Sequence, residues 1–187
     1  MTTEQPLTWH KPTDTARAIG EPDLRDNQIA LCTLNAKYIH ASLGLRYLYA
    51  NLGVLKKAAA IHEFTINQRP IDIVEKLLES NPTIIGFGIY IWNITQTEAV
   101  MSLIKKIKPE TIIVIGGPEV SYEYQSTDAF GFCDYLITGQ ADFSFRDLCT
   151  DLLTNTEPKA KVLAAKPPAV NELLLPYDLY NLSLIHI

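Results

Sequence analysis

The sequence of 187 residues predicts an α/β fold, a doubly wound parallel sheet of five strands with helices on both faces. Three observations carry that expectation. Short continuous apolar runs alternate with stretches of helical periodicity, glycines close several of the runs, and the alternation repeats five times between residues 28 and 155. Parallel neighbours need crossover connections, and a helix after each strand provides them.

Ile29-Ala30-Leu31-Cys32-Thr33-Leu34 is a continuous apolar run, as expected of a strand covered on both faces. From Ser42 to Asn51, Leu43, Tyr47 and Ala50 recur at helical spacing, and Gly53 stands where a C-terminal cap would be. Ala58 to Phe64 reads as the second strand. Pro70 to Glu79 reads as a helix with proline in its first turn, broken by Asn81-Pro82. Thr83 to Gly88 is the third strand, followed by a helix over Thr95 to Lys108 with Ala99, Val100, Leu103, Ile104 and Ile107 on its apolar face. The fourth strand is Thr111 to Ile115, with a weaker helical stretch from Tyr122 to Phe130. Cys133 to Thr138 and Phe143 to Leu153 make the fifth unit.

Either side of this region the pattern changes. Residues 1–27 lack apolar periodicity and read as a flexible leader; residues 156–187 read as a linker rich in Ala, Lys and Pro, then the truncated start of a further domain. The expected domain is therefore 28–155. Sixteen basic residues against twenty-one acidic ones give a net charge of -5, which offers no broad field for nucleic acid or an anionic membrane. No apolar run approaches the roughly 18 residues needed to span a bilayer, and the start Met1-Thr2-Thr3-Glu4-Gln5 lacks a signal-peptide layout, so a cytoplasmic location is expected. Cys32, Cys133 and Cys149 have neither disulfide nor metal spacing and are expected to be buried hydrophobes.

In open doubly wound sheets ligands lie outside the carboxyl ends of the strands, where strand order reverses. The loops of interest are then Asn35 to His40, Ile89 to Asn93, Gly116 to Val120 and Gly139 to Asp142. They carry no receiver-type acidic cluster, no flavodoxin-type phosphate loop, no Gly-x-Gly-x-x-Gly fingerprint and no Gly-x-x-x-x-Gly-Lys loop. Uncharged, partly aromatic loops around a glycine-opened edge suit a large, flat, mostly neutral ligand. Gly116-Gly117 lets main chain approach such a ligand without an intervening Cβ.

Four segments together resemble the N-terminal cobalamin-binding domain of radical S-adenosylmethionine proteins. They are Leu34-Asn35-Ala36-Lys37-Tyr38-Ile39-His40, Gly86-Phe87-Gly88-Ile89-Tyr90-Ile91-Trp92-Asn93, Gly116-Gly117-Pro118-Glu119-Val120-Ser121-Tyr122 and Asp134-Tyr135-Leu136-Ile137-Thr138-Gly139-Gln140. The resemblance implies a flavodoxin-like, Rossmann-like domain with the corrin across the strand ends and the nucleotide tail beside the sheet. The implied cofactor-binding residues are Asn35, Ala36, Lys37, Tyr38, His40, Gly88, Tyr90, Trp92, Asn93, Gly116, Gly117, Pro118, Glu119, Gly139 and Gln140.

Two departures from the family pattern shape the expectations. Tyr38-Ile39-His40-Ala41-Ser42-Leu43-Gly44 lacks the aspartate of Asp-x-His-x-x-Gly and carries its glycine one position late. His40 is accordingly read as a helix-entry residue near the ligand rather than as a cobalt ligand. Gly139-Gln140-Ala141-Asp142 stands where many members have Gly-Glu-Gly-Glu, leaving Asp142 as a cap for the next helix. Packing remains an open alternative for Tyr90 and Trp92, solvation for Lys37, and no role for His62 and His10. The Cys-x-x-x-Cys-x-x-Cys motif of the radical barrel is absent. The chain is thus expected to bind cobalamin without catalysing, and a [4Fe-4S] cluster and S-adenosylmethionine would belong to the missing catalytic domain of a full-length parent. Two other readings stay open: a flavodoxin-like nucleotide or sugar-nucleotide domain, and a non-catalytic protein-interaction domain.

Overall fold

A computed structural model of the chain describes residues 24–37, 41–156 and 158–180. The strands are β1 (Ile29–Asn35), β2 (Ala59–Thr65), β3 (Ile84–Gly88), β4 (Ile112–Gly116), β5 (Tyr135–Thr138) and β6 (Val162–Ala164). The helices are α1 (Leu43–Ala50), α2 (Pro70–Leu78), α3 (Ile94–Ile107), α4 (Asp128–Phe132) and α5 (Asp142–Leu153). All strands pair in parallel in the order β2-β1-β3-β4-β5-β6. The chain reverses its direction of travel across the sheet at β1, so the switch point lies between β1 and β3.

Strand periodicity divides the core in two. Ala30, Cys32 and Leu34 of β1, with Ile85, Phe87, Ile113 and Ile115, pack against Ile73, Val74 and Leu77 of α2 and Val100, Met101 and Ile104 of α3. The intervening residues Ile29, Leu31, Ile84, Val114 and Ile137 pack on the other face, against Leu45 of α1 and Phe145, Leu148, Cys149 and Leu152 of α5. All three cysteines are buried, as expected. Burial pushes the Cys133 thiol up to about 11 and raises those of Cys32 and Cys149 as well, which keeps them as inert apolar groups.

Three expectations need correction. The sheet has six strands, not five. Residues 162–164, read as linker, close the edge beside β5 through Leu136 N–H to Lys161 O at 2.8 Å and Ala165 N–H to Thr138 O at 2.9 Å. A three-residue strand is too short for its alternation to stand out, yet it covers an otherwise open edge. The stretch from Tyr122 to Phe130 is not one helix. It breaks at Glu123, whose φ is 48°, into the 3-10 turn Tyr124–Ser126 and then α4, whose N-cap Thr127 accepts from Phe130 N–H. On α3, Val100 and Ile104 are buried with Thr97 and Met101, whereas Ile107 is 56% exposed.

Candidate functional site

Helices α1 and α5 diverge over β3, β4 and β5 and leave a cleft of about 430 Å³, open at the carboxyl ends of the strands. Strand parity explains why the space exists. Gly86, Gly88 and Gly116 occupy the positions of β3 and β4 that point toward α1 and α5, in step with Ile84 and Val114. Gly88 is registered directly on Gly116, and Gly116 on Ile137, so the floor lacks side chains where its neighbours carry Ile and Val. Leu45 and Leu48 of α1, Ile137 and Phe145 wall the cleft, and Tyr90, Gln140 and Asp142 bring polar groups to it.

What a Cβ would meet at each glycine separates packing requirements from open space. At Gly86 it would lie 2.8 Å from the Phe145 ring, so this glycine admits α5. Gly44, in the first turn of α1, would place a Cβ 3.0 Å from the Tyr90 hydroxyl, which spans from the end of β3 to α1. At Gly88 the neighbours lie at 3.6 to 3.8 Å, an ordinary contact distance. Gly117 differs again: its φ is 120° and a Cβ would sit 2.3 Å from Ile89 O. Its missing side chain thus makes room for the main chain after β3, while its own backbone borders the cleft.

Two polar networks hold the strand ends around this cleft. Asn93 is fully buried and donates to Leu34 O and Gly88 O, both at 3.1 Å, and to Thr33 Oγ1 at 3.3 Å, while its Oδ1 accepts from Tyr90 N–H at 2.8 Å. This ties the ends of β1 and β3 to the start of α3. Glu63 of β2 accepts from Asn35 Nδ2, from Ser42 N–H and from Arg46 Nη2, the last an ion pair at 2.8 Å. Burial raises the Glu63 pKa, but the hydrogen bonds from Arg46, Ser42 and Asn35 outweigh it and hold the carboxyl below its usual range. Ser42 is also the N-cap of α1, accepting from Leu45 N–H.

Of the residues expected at the site, Gly88, Tyr90, Gly116, Gly117, Gly139 and Gln140 line the cleft. Asn93 and Asn35 are buried supports bonded to strand ends and to Glu63. Trp92 stacks on Tyr90 with ring centroids 4.6 Å apart and remains 49% exposed. Pro118 and Glu119 form the 3-10 turn Pro118–Val120 beyond the cleft. Ala36 and exposed Lys37 follow β1 at the sheet edge, and Tyr38 and His40 lie outside the described residues. Asp142 is the first residue of α5 rather than its cap; Ala141 holds the cap position without a side-chain bond. Burial raises the Asp142 pKa, partly offset by its own backbone N–H. Sequence reasoning missed the α1 wall and Leu173, and placed Asp142 in a loop of the site without naming it as a ligand contact; Gly44 inside a helix was the available signal for close approach.

No cluster of His, Cys, Asp and Glu suited to a metal ion occurs among the described residues, and none of their helices is long and apolar enough to cross a membrane. The volume falls in the usual small-molecule range of about 300–1,000 Å³, and a bare floor between two helices suits a flat group inserted edge-on.

A parallel doubly wound sheet with such a cleft at the carboxyl ends of its strands has the form of an open-sheet small-molecule-binding domain. Residues 29–148 match the B12 binding domain family, and the chain belongs to that family. It is a cobalamin-binding domain. It is 27% identical over 107 residues to a 2-(S-pantetheinyl)-carbapenam-3-carboxylate methyltransferase of Streptantibioticus cattleyicolor, a match covering 53% of this chain and 15% of that relative. A crystal structure of a novel cobalamin-binding protein from Desulfitobacterium hafniense is also similar, with a TM-score of 0.48 and 22% identity, over 67% of this chain and 58% of the other.

Proposed function

We propose that this chain is the cobalamin-binding module of a radical S-adenosylmethionine enzyme, with the nucleotide tail of the cofactor in the cleft and the corrin over the carboxyl ends of β3, β4 and β5. The observation that carries the reading is the side-chain-free floor at Gly88 and Gly116, which gives a planar base access to the sheet between α1 and α5. Gly117, Gly139 and Gln140 would border the corrin, and Tyr90 with Trp92 would form its aromatic margin. Asn93 and Glu63 would act by holding the strand ends in place. When bound, cobalamin supplies a cobalt centre able to carry a methyl group or relay an electron.

The carbapenam relative is named a methyltransferase, which supports the methyl-carrier role. The cluster, S-adenosylmethionine and the substrate would be held by a catalytic domain outside this chain. Incubation with hydroxocobalamin followed by gel filtration tests the binding step. Corrin absorbance co-eluting with the protein near one equivalent is expected; a colourless protein peak would overturn the reading.

A further inference from the structure

The segment after β6 returns to the cleft. Ala169 O accepts from Glu172 N–H, and the chain then runs along α1 from its C-terminal end toward its N-terminal end. At the first contact Asn51, the C-cap of α1 and 3% exposed, binds Leu174 in both directions. Its Oδ1 accepts from Leu174 N–H at 2.9 Å and its Nδ2 donates to Leu174 O at 3.1 Å, while the same Nδ2 donates to Tyr47 O at 2.9 Å. At the last contact the Tyr180 ring lies over the buried Arg46 guanidinium, 5.3 Å from centroid to Cζ. Just before the first of these contacts Leu173 joins the lining of the cleft, while the side chain of its neighbour Leu174 stays exposed.

We propose that Leu173 is a third wall of the ligand cleft, touching the bound ligand, and that Asn51 positions it by holding the main chain of Leu174. The assignment rests on the cobalamin reading above, which names the occupant. A peptide amide satisfied in both directions by one buried side chain is the pairing of a strand ladder, and it fixes the height of residue 173 relative to α1. The strap borders the cleft without filling it, because about 430 Å³ remains open with Leu173 in place. That geometry favours a wall over a plug.

The test uses the intact chain and two readouts. The first, amide exchange at Leu174, is independent of cofactor. It should be slow in the unaltered protein and faster by about tenfold or more in Asn51→Ala. The second is the rate at which bound hydroxocobalamin dissociates. This should rise by about threefold to tenfold in both Asn51→Ala and Leu173→Ala and stay unchanged in Leu174→Ala, whose side chain faces solvent. Should Asn51→Ala not fold, Leu173→Ala against Leu174→Ala still decides. Equal dissociation rates in all variants would overturn the wall, and slower dissociation from Leu173→Ala or Asn51→Ala would mean a plug instead. An unaltered chain that protects Leu174 but retains no corrin would refute the cofactor reading itself; one that retains corrin regardless of residue 173 refutes the wall alone.

Discussion

Gly117 and Gly88 look alike in the sequence, and the space around each predicts opposite behaviour on substitution. At Gly117 a φ of 120° and a Cβ 2.3 Å from Ile89 O make any side chain a structural fault. Gly117→Ala is expected to cost about 1–3 kcal/mol, read from the urea midpoint at unchanged slope. Gly88 has contact-distance neighbours and a conventional strand position. Gly88→Val should keep the midpoint within about 1 kcal/mol yet weaken cobalamin binding by about tenfold or more, because its methyl groups would enter the cleft. A variant that lost fold and binding together would remove Gly88 from the floor. Glu63 gives a pH prediction. Its folded pKa is depressed, so its stabilising contribution is present above the ordinary carboxylate range and is lost as pH falls through the lowered value. Glu63→Gln should therefore flatten the acid limb of the stability profile below about pH 5, and an unchanged limb would remove Glu63 from the account.

At the scale of elements, α5 sets one ring directly over one glycine of the sheet. Phe145 lies 2.8 Å from where a Cβ on Gly86 would be. Gly86→Ala must push the ring or the helix outward, with an expected loss of about 1–3 kcal/mol; chemical denaturation checks this, and an unaffected midpoint would show that α5 can slide. The same element shows how far the sequence could be read. Strands β1, β3 and β4 were legible because burial on both faces leaves an unbroken apolar run ended by glycine or a polar loop. The glycines at strand ends pointed to the edge where the cleft opens. That Gly86 and Gly88 share the face of α1 and α5 follows from their spacing of two, but which helices cover that face follows only from the crossovers. The strand β6 and the strap at Leu174 were not legible. β6 is held by main-chain bonds to β5, and the strap by the Asn51 side chain on the main chain of Leu174, 123 positions away; the backbone groups of these segments leave no mark on their side-chain pattern.

For the whole molecule, the fold leaves a cleft at the carboxyl ends of β3, β4 and β5, and family membership over residues 29–148 names the class of ligand proposed for it. The match to the methyltransferase relative covers 15% of that protein's length. In this chain the floor of glycines, the helix walls and the strap at Leu173 all surround the space assigned to the nucleotide tail rather than to the corrin. The most direct measurement is therefore a paired titration of the purified chain with hydroxocobalamin and with cobinamide, the corrin lacking that tail. We predict binding of the tailed cofactor tighter by about tenfold or more, a difference of about 1.4 kcal/mol or more. Equal affinities, or tighter binding of cobinamide, would contradict the account.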